Sequence, residues 1–473
     1  MQPGASVASA GDVNGDGYGD VVIGASSYDN GETDEGRAYL YLGGSSGLAS
    51  SAAWTFESDQ AGAQLGASVA GAGDVNGDHR SDVIVGAPFY DDGETDEGAV
   101  FGFHGTLTGL SIGSSWSVKS NQASSGFGSS IAGAGDVNRD GYRDVIVGAF
   151  TYDNGTTDEG AAFVYHGSAS GLGSSPAWHV ESDQASTKFG ISVASAGDIN
   201  GDAYGDVIIG APRYSATYGL GRVFAYHGSA TGLASSPTWS TDTECGTADF
   251  GVAVSSAGDV NGDGFGDVII GGPLCDGSKT DSGLAFVYLG SSGTLMPKYQ
   301  FYFDSSQANA KLGTSVSSAG DINGDGYSEA LAGAPGYTNG QTAEGRLYLN
   351  YGNGKATYYP GKPLGSVARQ VGTTTPIGVG GLSLNATAFD VAMPKSRSTF
   401  GRVPLKLQVE VKASGTPFDS TGLVTSSSWT DPGVAGVALQ QTISSLAPNT
   451  AYHWRARLLF HPSRGAEQNT SQW

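Results

Sequence analysis

The pattern Asp-x-Asn-x-Asp-x-x-x-Asp, with Glu once at its last position, occurs six times, at spacings of 62, 62, 62, 61 and 62 residues. Its copies begin at Asp12, Asp74, Asp136, Asp198, Asp259 and Asp321. A fixed period of this length means one supersecondary unit copied in tandem, each burying its apolar face against the next. The fold must therefore be a repeat architecture that carries this loop once per unit.

Oxygen-bearing residues at alternating positions of a tight loop suit a hard cation with several oxygen ligands, above all calcium. The expected ligands in the first copy are Asp12, Asn14, Asp16, Asp20 and the Tyr18 carbonyl. The second copy offers Asp74, Asn76, Asp78, Arg80 and Asp82, and the third Asp136, Asn138, Asp140, Tyr142 and Asp144. The fourth offers Asp198, Asn200, Asp202, Tyr204 and Asp206, and the fifth Asp259, Asn261, Asp263, Phe265 and Asp267. The sixth offers Asp321, Asn323, Asp325, Tyr327 and Glu329. Position 7 contributes its main-chain carbonyl throughout, so its side chain is free to vary. Gly17, Gly141, Gly264 and Gly326 allow a sharp turn at position 6, where His79 and Ala203 predict strained and weaker loops. The alternative is that Asp and Asn serve only as turn formers. Six complete oxygen sets favour about six bound Ca2+ ions.

Each loop follows an apolar-small run such as Ala5-Ser-Val-Ala8 and precedes a β-branched run such as Asp20-Val-Val-Ile-Gly24. An acidic turn, an alternating aromatic strand and a segment with Trp54, Trp116, Trp178, Trp239 or Phe301 complete the unit. Four short strands per unit is the arithmetic of a β-propeller blade. An EF-hand would need a carboxylate at loop position 12, where Ile23, Val85, Val147, Ile209, Ile270 and Ala332 stand.

The units resemble FG-GAP repeats, as in the propeller of integrin α subunits and many secreted bacterial proteins. The FG element stands at Phe127-Gly128, Phe189-Gly190 and Phe250-Gly251, with Leu65-Gly66 and Leu312-Gly313 as variants. The GAP element stands at Gly86-Ala-Pro88, Gly210-Ala-Pro212 and Gly333-Ala-Pro335, relaxed in the other copies. The resemblance implies an all-β fold: a propeller over residues 1–362, with six four-stranded blades or, as in integrins, seven. It also implies a calcium-binding adhesion module.

Net charge is −23. From Gly365 onward nine Lys/Arg oppose five Asp/Glu, so the excess acidity lies on the repeats. That excludes nucleic acid as a partner, because its affinity comes from basic contacts to phosphate. No apolar run of membrane-spanning length occurs, so no membrane insertion is expected. The segment Met1-Gln-Pro-Gly-Ala-Ser-Val7 lacks the basic and apolar stretches of an export signal.

Cys245 and Cys275 occupy slots held elsewhere by Gln60, Gln122, Gln184 and Gln307, and by Tyr28, Tyr90, Tyr152, Tyr214 and Tyr337. Their joint replacement predicts that Gln and Tyr touch in other copies and that a disulfide takes over in this one; two free thiols are the alternative. A disulfide indicates an oxidising, extracellular or cell-surface location. His104, His166 and His227 share one slot in different units and read as wall residues. The acidic turns, such as Asp29-Asn-Gly-Glu-Thr-Asp-Glu-Gly36, read as chain reversals, with a second cation or a basic partner as the alternative. No nucleophile–base arrangement stands out, so the chain is expected not to be an enzyme.

Beyond the repeats, Val403-Pro-Leu-Lys-Leu-Gln-Val-Glu-Val-Lys412 alternates as a strand, and Leu446 to Leu458 resembles a corner of a fibronectin type III-like β-sandwich. Residues 363–473 are expected to form such a module, complete or lacking its last strand. The functional expectation is a secreted or cell-surface calcium-binding propeller that binds a protein or glycan ligand of the cell surface or matrix. A carbohydrate-binding lectin using the repeated Trp is the alternative, and a hydrolase or its accessory module a more distant one. Trp exposure separates the first two.

Overall fold

The computed structural model describes residues 6–215, 220–242, 245, 249–322, 327–352, 369–371, 389–396, 404–413, 421–431, 437–447 and 452–460. In the first unit, β1 (Ser6–Gly11), β2 (Asp20–Ala25), β3 (Arg37–Tyr41) and β4 (Trp54–Glu57) form one antiparallel sheet in chain order. The register sets Ala8, Val22, Leu40 and Trp54 in one row across the sheet, so a single face gathers the large apolar side chains. Four further units build four-stranded sheets of the same order, and the sixth contributes three described strands. The described residues contain no helix. The chain is an all-β propeller.

Strands inside the stack are apolar on both faces because each blade is covered on both sides. Asp144–Ala149 and Asp267–Gly272 are buried along their whole length. The first strands of successive blades lie side by side from the first blade to the sixth, which makes them the hub. Glycine controls how closely the blades approach. A Cβ on Gly148 would lie 2.0 Å from the Gly190 carbonyl of the next blade, and one on Gly210 would lie 1.9 Å from that of Gly251. Thus the GAP glycine of one blade seats the FG glycine of its neighbour, whose N–H donates to the GAP carbonyl of its own blade (Gly190 to Gly210, 3.0 Å). The adjoining Phe127, Phe189 and Phe250 are each 1% exposed.

The repeated Trp also belongs to these junctions. Trp54, Trp116 and Trp178 donate their indole N–H to Ser111, Gly173 and Ala234 of the following blade, at 2.8, 2.8 and 3.0 Å. Trp239 donates to Met296 in the same way. Each ring also meets an aromatic of that blade edge-on, as in Trp54–Phe103 at 4.7 Å. Their polar handles are spent on the main chain, so the feature behind the lectin alternative is a packing device.

The junction between the sixth and first blades differs. Among the described residues, the sixth blade's first strand does not lie along β1 as the other five neighbours do. Val7 is 66% exposed where Val69 and Val193 are 6%. On the opposite flank Leu347 and Leu349 are 65% and 37% exposed, in the slots of the buried Ala38 and Leu40. The atoms nearest a Cβ on Gly333 all belong to Ser315 of its own blade, not to a neighbouring one.

The carboxy-terminal residues form two three-stranded sheets. Arg369–Val371, Phe389–Ser396 and Val437–Ile443 make one, and Val424–Thr425, Leu405–Ala413 and Tyr452–Phe460 the other. They share a core of Val391, Leu405, Leu407, Val409, Leu439, Ile443 and Leu458.

Candidate metal centres

Each Asp-x-Asn-x-Asp loop joins the first and second strands of its blade, so all six emerge at one end of the blades. Within the first loop, Asp12 accepts from the N–H of Gly15, Asp16 and Gly17, Asn14 from Asp16, and Asp16 from Tyr18. The same bonds recur around Asp74, Asn76 and Asp78, and around Asp198, Asn200 and Asp202. Asp136, Asn138 and Asp140 accept them from Asp140, Gly141 and Tyr142, and the loop from Asp259 through Asn261 and Asp263 repeats the first in full. Asn323 and Asp325 of the sixth loop lie outside the described residues.

Position 9 does a different job. Asp20 is buried and accepts from Val13 N at 2.9 Å and from Gly43 N, beyond β3, at 2.7 Å. Asp82, Asp144, Asp206 and Asp267 repeat both bonds, and Glu329 the first of them. This carboxylate straps the loop to the far end of the same sheet. A further bond runs between blades: Ser81 N, at position 8 of the second loop, donates to the Asp12 carbonyl at 2.9 Å. Arg143 to Asp74, Gly205 to Asp136, Gly266 to Asp198 and Ser328 to Asp259 repeat it at the next four junctions. Loop geometry and blade docking are therefore mechanically joined.

Burial without a cation raises these carboxyls. Asp82 and Asp144 are pushed up to about 7 and Asp259 to about 6, with Asp20, Asp136, Asp198, Asp206 and Asp267 also raised, burial being the main cause. Neighbouring loop carboxylates add to the rise in all eight. Each described loop gathers side-chain oxygens of its own Asp and Asn residues, and a divalent ion would reverse the mutual repulsion of the carboxylates, so the donor set fits a hard cation. The second loop is the most compromised, because Arg80 Nη1 lies 3.3 Å from Asp78 Oδ2. His79 and Ala203 hold left-handed φ of 70° and 73°, as the missing glycines predict. Arg139 at position 4 does so too, at 59°, a strain that the emphasis on position 6 overlooked.

The opposite end of the blades carries the acidic turns, which mostly cap themselves. Asp29 accepts from Asp34 N and Asp91 from Asp96 N, at 2.7 and 2.6 Å. Buried Glu97 and Glu159 accept from Asp92 N and Asn154 N at 2.8 and 2.6 Å, while Glu35 accepts from Asn30 N. This is the chain-reversal chemistry expected of them. Yet among the described residues the acidic trios that converge, with ligand atoms within 4.8 Å of one another, lie here: Glu35, Glu57 and Asp59, and Glu159, Glu181 and Asp183. Among the described residues, the carboxylates at positions 1, 5 and 9 of a loop do not form such a trio. Glu57, Asp59, Glu181 and Asp183 escaped the sequence analysis because they lie at the end of the fourth strand or just beyond it, some twenty residues from their turn.

Cys245 and Cys275 form a disulfide with Cα atoms 5.3 Å apart. In three other copies the glutamine clasps the main chain one residue beyond the tyrosine rather than the ring: Gln60 bonds both N–H and C=O of Asp91, Gln122 those of Asp153 and Gln307 those of Thr338, while in the fourth Gln184 donates to the carbonyl of Tyr214 itself, the contact expected. His166 touches Asn138 and His227 touches Thr294, in separate blades, so the histidines form no cluster.

Comparison with known proteins agrees with this geometry. The FG-GAP repeat profile matches residues 3–41, 65–103, 127–165, 189–226 and 312–349. The fifth blade lies outside the matched segments yet folds like the others. The chain is similar to integrin alpha pat-2 of Caenorhabditis briggsae, 36% identical over 221 residues, which is 43% of this chain and 17% of that protein. Integrin alpha-5 of Xenopus laevis is 28% identical over 243 residues, 49% of this chain and 22% of its own length. Human integrin alpha-7 is 36% identical over 157 residues, 33% and 13% respectively. The chain thus spans less than a quarter of the length of these relatives.

Proposed function

The chain is an integrin-α-like FG-GAP repeat β-propeller, and from that premise we propose that it is a calcium-loaded extracellular module that binds another macromolecule and catalyses nothing. The observation that carries this is the loop set. Six copies keep an oxygen donor at positions 1, 3, 5 and 9. The ligands proposed are those positions with the position 7 carbonyl, from Asp12, Asn14, Asp16, Tyr18 and Asp20 through to Glu329. Because a loop main-chain N–H bonds the preceding loop across each of five junctions, an ion that fixes one loop also fixes its neighbour's docking. Calcium acts as a stiffener of the disc rather than as a contact for the partner.

The partner is a protein or glycan of a cell surface or matrix, met by loops at the end of the blades away from the calcium. Kinship with integrin α subunits and the disulfide support an extracellular, adhesive role; the buried or half-buried, hydrogen-bonded Trp side chains remove the support for sugar platforms. No helix among the described residues is long and apolar enough to cross a membrane. Residues 363–473 would act as a spacer of fibronectin type III-like build, which the two three-stranded sheets and shared core support.

The test is capture of surface or matrix extract on the immobilised chain, in calcium and in chelator, beside metal analysis of the dialysed protein. About six calcium ions per chain and calcium-dependent capture are expected. At most one ion, or turnover of a glycan, ester or peptide that is lost on mutating a carboxylate outside the loops, would overturn the reading.

A further inference from the structure

The acidic turns sit at the end of the blades opposite the loops, and three blades show one slot in contrasting states. In the first, Glu35 is 1% exposed and converges with Glu57 and Asp59. Its Oε1 accepts from Asn30 N, while its buried Oε2 has no hydrogen-bond partner. Arg37 lies 3.1 Å from Glu57 and offsets part of the charge. In the third blade Glu159, wholly buried, converges with Glu181 and Asp183, and Ala161 stands in the arginine slot. Asn154 donates its amide to both oxygens of Glu181, and Thr156 its hydroxyl to Glu159. Those neutral donors leave the charge of the trio uncompensated.

The second blade shows what the slot accommodates. Lys119 takes the position of Glu57 and Glu181, one repeat away from each, and Asn121 that of Asp59 and Asp183. Its ammonium lies 3.6 Å from buried Glu97 and 3.0 Å from Asp92, and it donates to the Asp92 carbonyl. Glu97 Oε2, like Glu35 Oε2, has no hydrogen-bond partner. The pocket in this blade therefore balances its buried carboxylate with a cation of its own. In the fourth blade Leu220 stands in the glutamate slot, so no buried carboxylate is present, and Arg222 pairs with the exposed Asp242. In the fifth, Ser282 replaces the glutamate, and Asp304 is satisfied by main-chain N–H from Ser278 and Ser306.

We infer that the first and third blades bind a second class of divalent cation, calcium-like in its preference for oxygen, where the second blade places Lys119. Three carboxylates, one of them buried, with no soft or nitrogen donor, suit a hard cation. A buried carboxylate also needs a counter-charge, because desolvation penalises an unpaired one. The third blade, lacking an arginine, is the tighter of the two sites. These ions would lie at the end of the disc assigned to partner binding, unlike those of the loops.

Two substitutions in the full chain test this by exchanging the states of neighbouring blades. Glu181→Lys installs the arrangement of the second blade in the third, and Lys119→Glu with Asn121→Asp does the reverse. Bound calcium is counted by equilibrium dialysis at millimolar free calcium, with a thermal melt to confirm that each variant is folded. Glu181→Lys should bind one ion fewer than the parent chain and Lys119→Glu/Asn121→Asp one more. Only differences between variants and parent matter, so the result is independent of how many loops are filled. Unchanged counts in both folded variants would overturn the inference. Should one variant fail to fold, the other still decides by its own gain or loss.

Discussion

The two ends of each blade follow opposite rules. At the loop end, six copies retain the same oxygen positions, and five blade junctions repeat the same hydrogen bond between loops. At the turn end, the same positions hold carboxylate trios in two blades and a lysine on a glutamate in another, while leucine replaces the buried glutamate in a fourth and serine in a fifth. One clasp there is a glutamine on main chain in some copies and a disulfide in another. Uniformity marks a task that every blade performs, which is to fix its place in the disc. Variety marks fastenings that can be exchanged one blade at a time, and with them the surface offered to a partner.

The largest effect expected from this contrast comes from emptying the loop end. Each site filled at a hundredfold excess over its Kd adds about 2.7 kcal/mol to the folded state, so several sites sum to a large fraction of a domain's stability. Chelation should lower the melting temperature by on the order of ten degrees or more. The loops with His79 and Ala203 should lose their ions first as calcium falls, being strained, and the second also carries Arg80 on Asp78. A melting temperature indifferent to chelator would erase the distinction between the two ends.

Much of this plan was legible in the sequence because a repeat prints its rules several times. The period, the loop and the Phe-Gly and Gly-Ala-Pro elements each recur, so a glycine such as Gly148 could be recognised before its contact with Gly190 was known. Cys245 and Cys275 were legible for the opposite reason, as two coincident exceptions to the repeat. What stayed hidden lies across strands or blades. Glu181 meets Glu159 only because the third and fourth strands pair, with Ala161 opposite Glu181. The target of Gln60 was misjudged by one residue, since a side chain that clasps main chain leaves no trace in the identity of its partner. The open flank with Val7 and Leu347 is likewise a property of neighbours, not of either segment.

A smaller effect should follow from cutting the fastening of the fifth blade. Cys245→Ser with Cys275→Ser opens a link between residues 30 apart in sequence, and loss of such a crosslink costs about 2–4 kcal/mol. Cys245→Gln with Cys275→Tyr rebuilds the clasp of the other blades and should recover about 1 kcal/mol per hydrogen bond regained. Denaturant unfolding of both double variants in calcium measures the difference. If the glutamine variant is no better than the serine one, the two fastenings are not exchangeable, and the turn end is less modular than its sequence variety suggests.

The smallest expected effect concerns protons, and its sign differs with and without calcium. Asp82 and Asp144 are held at about 7 against an ordinary 3.8, so the cation-free folded chain takes up protons that the unfolded chain does not. For a raised group that stabilising share is complete below about 4 and is lost as pH climbs through about 7. His166 and His227, lowered by burial, pull the opposite way, but the raised loop carboxyls outnumber them. Calcium reverses the slope, because it binds the ionised loop and must displace those protons. Affinity at these loops should fall by about tenfold per pH unit below about 7 for each proton displaced. The gap in melting temperature between calcium and chelator should therefore be widest near pH 8 and shrink steadily towards pH 5. The turn end offers a control in the same samples, since the disulfide of the fifth blade does not titrate over that range. A gap that stayed constant from pH 8 to pH 5 would mean that the buried carboxyls of Asp82 and Asp144 are not part of what calcium holds.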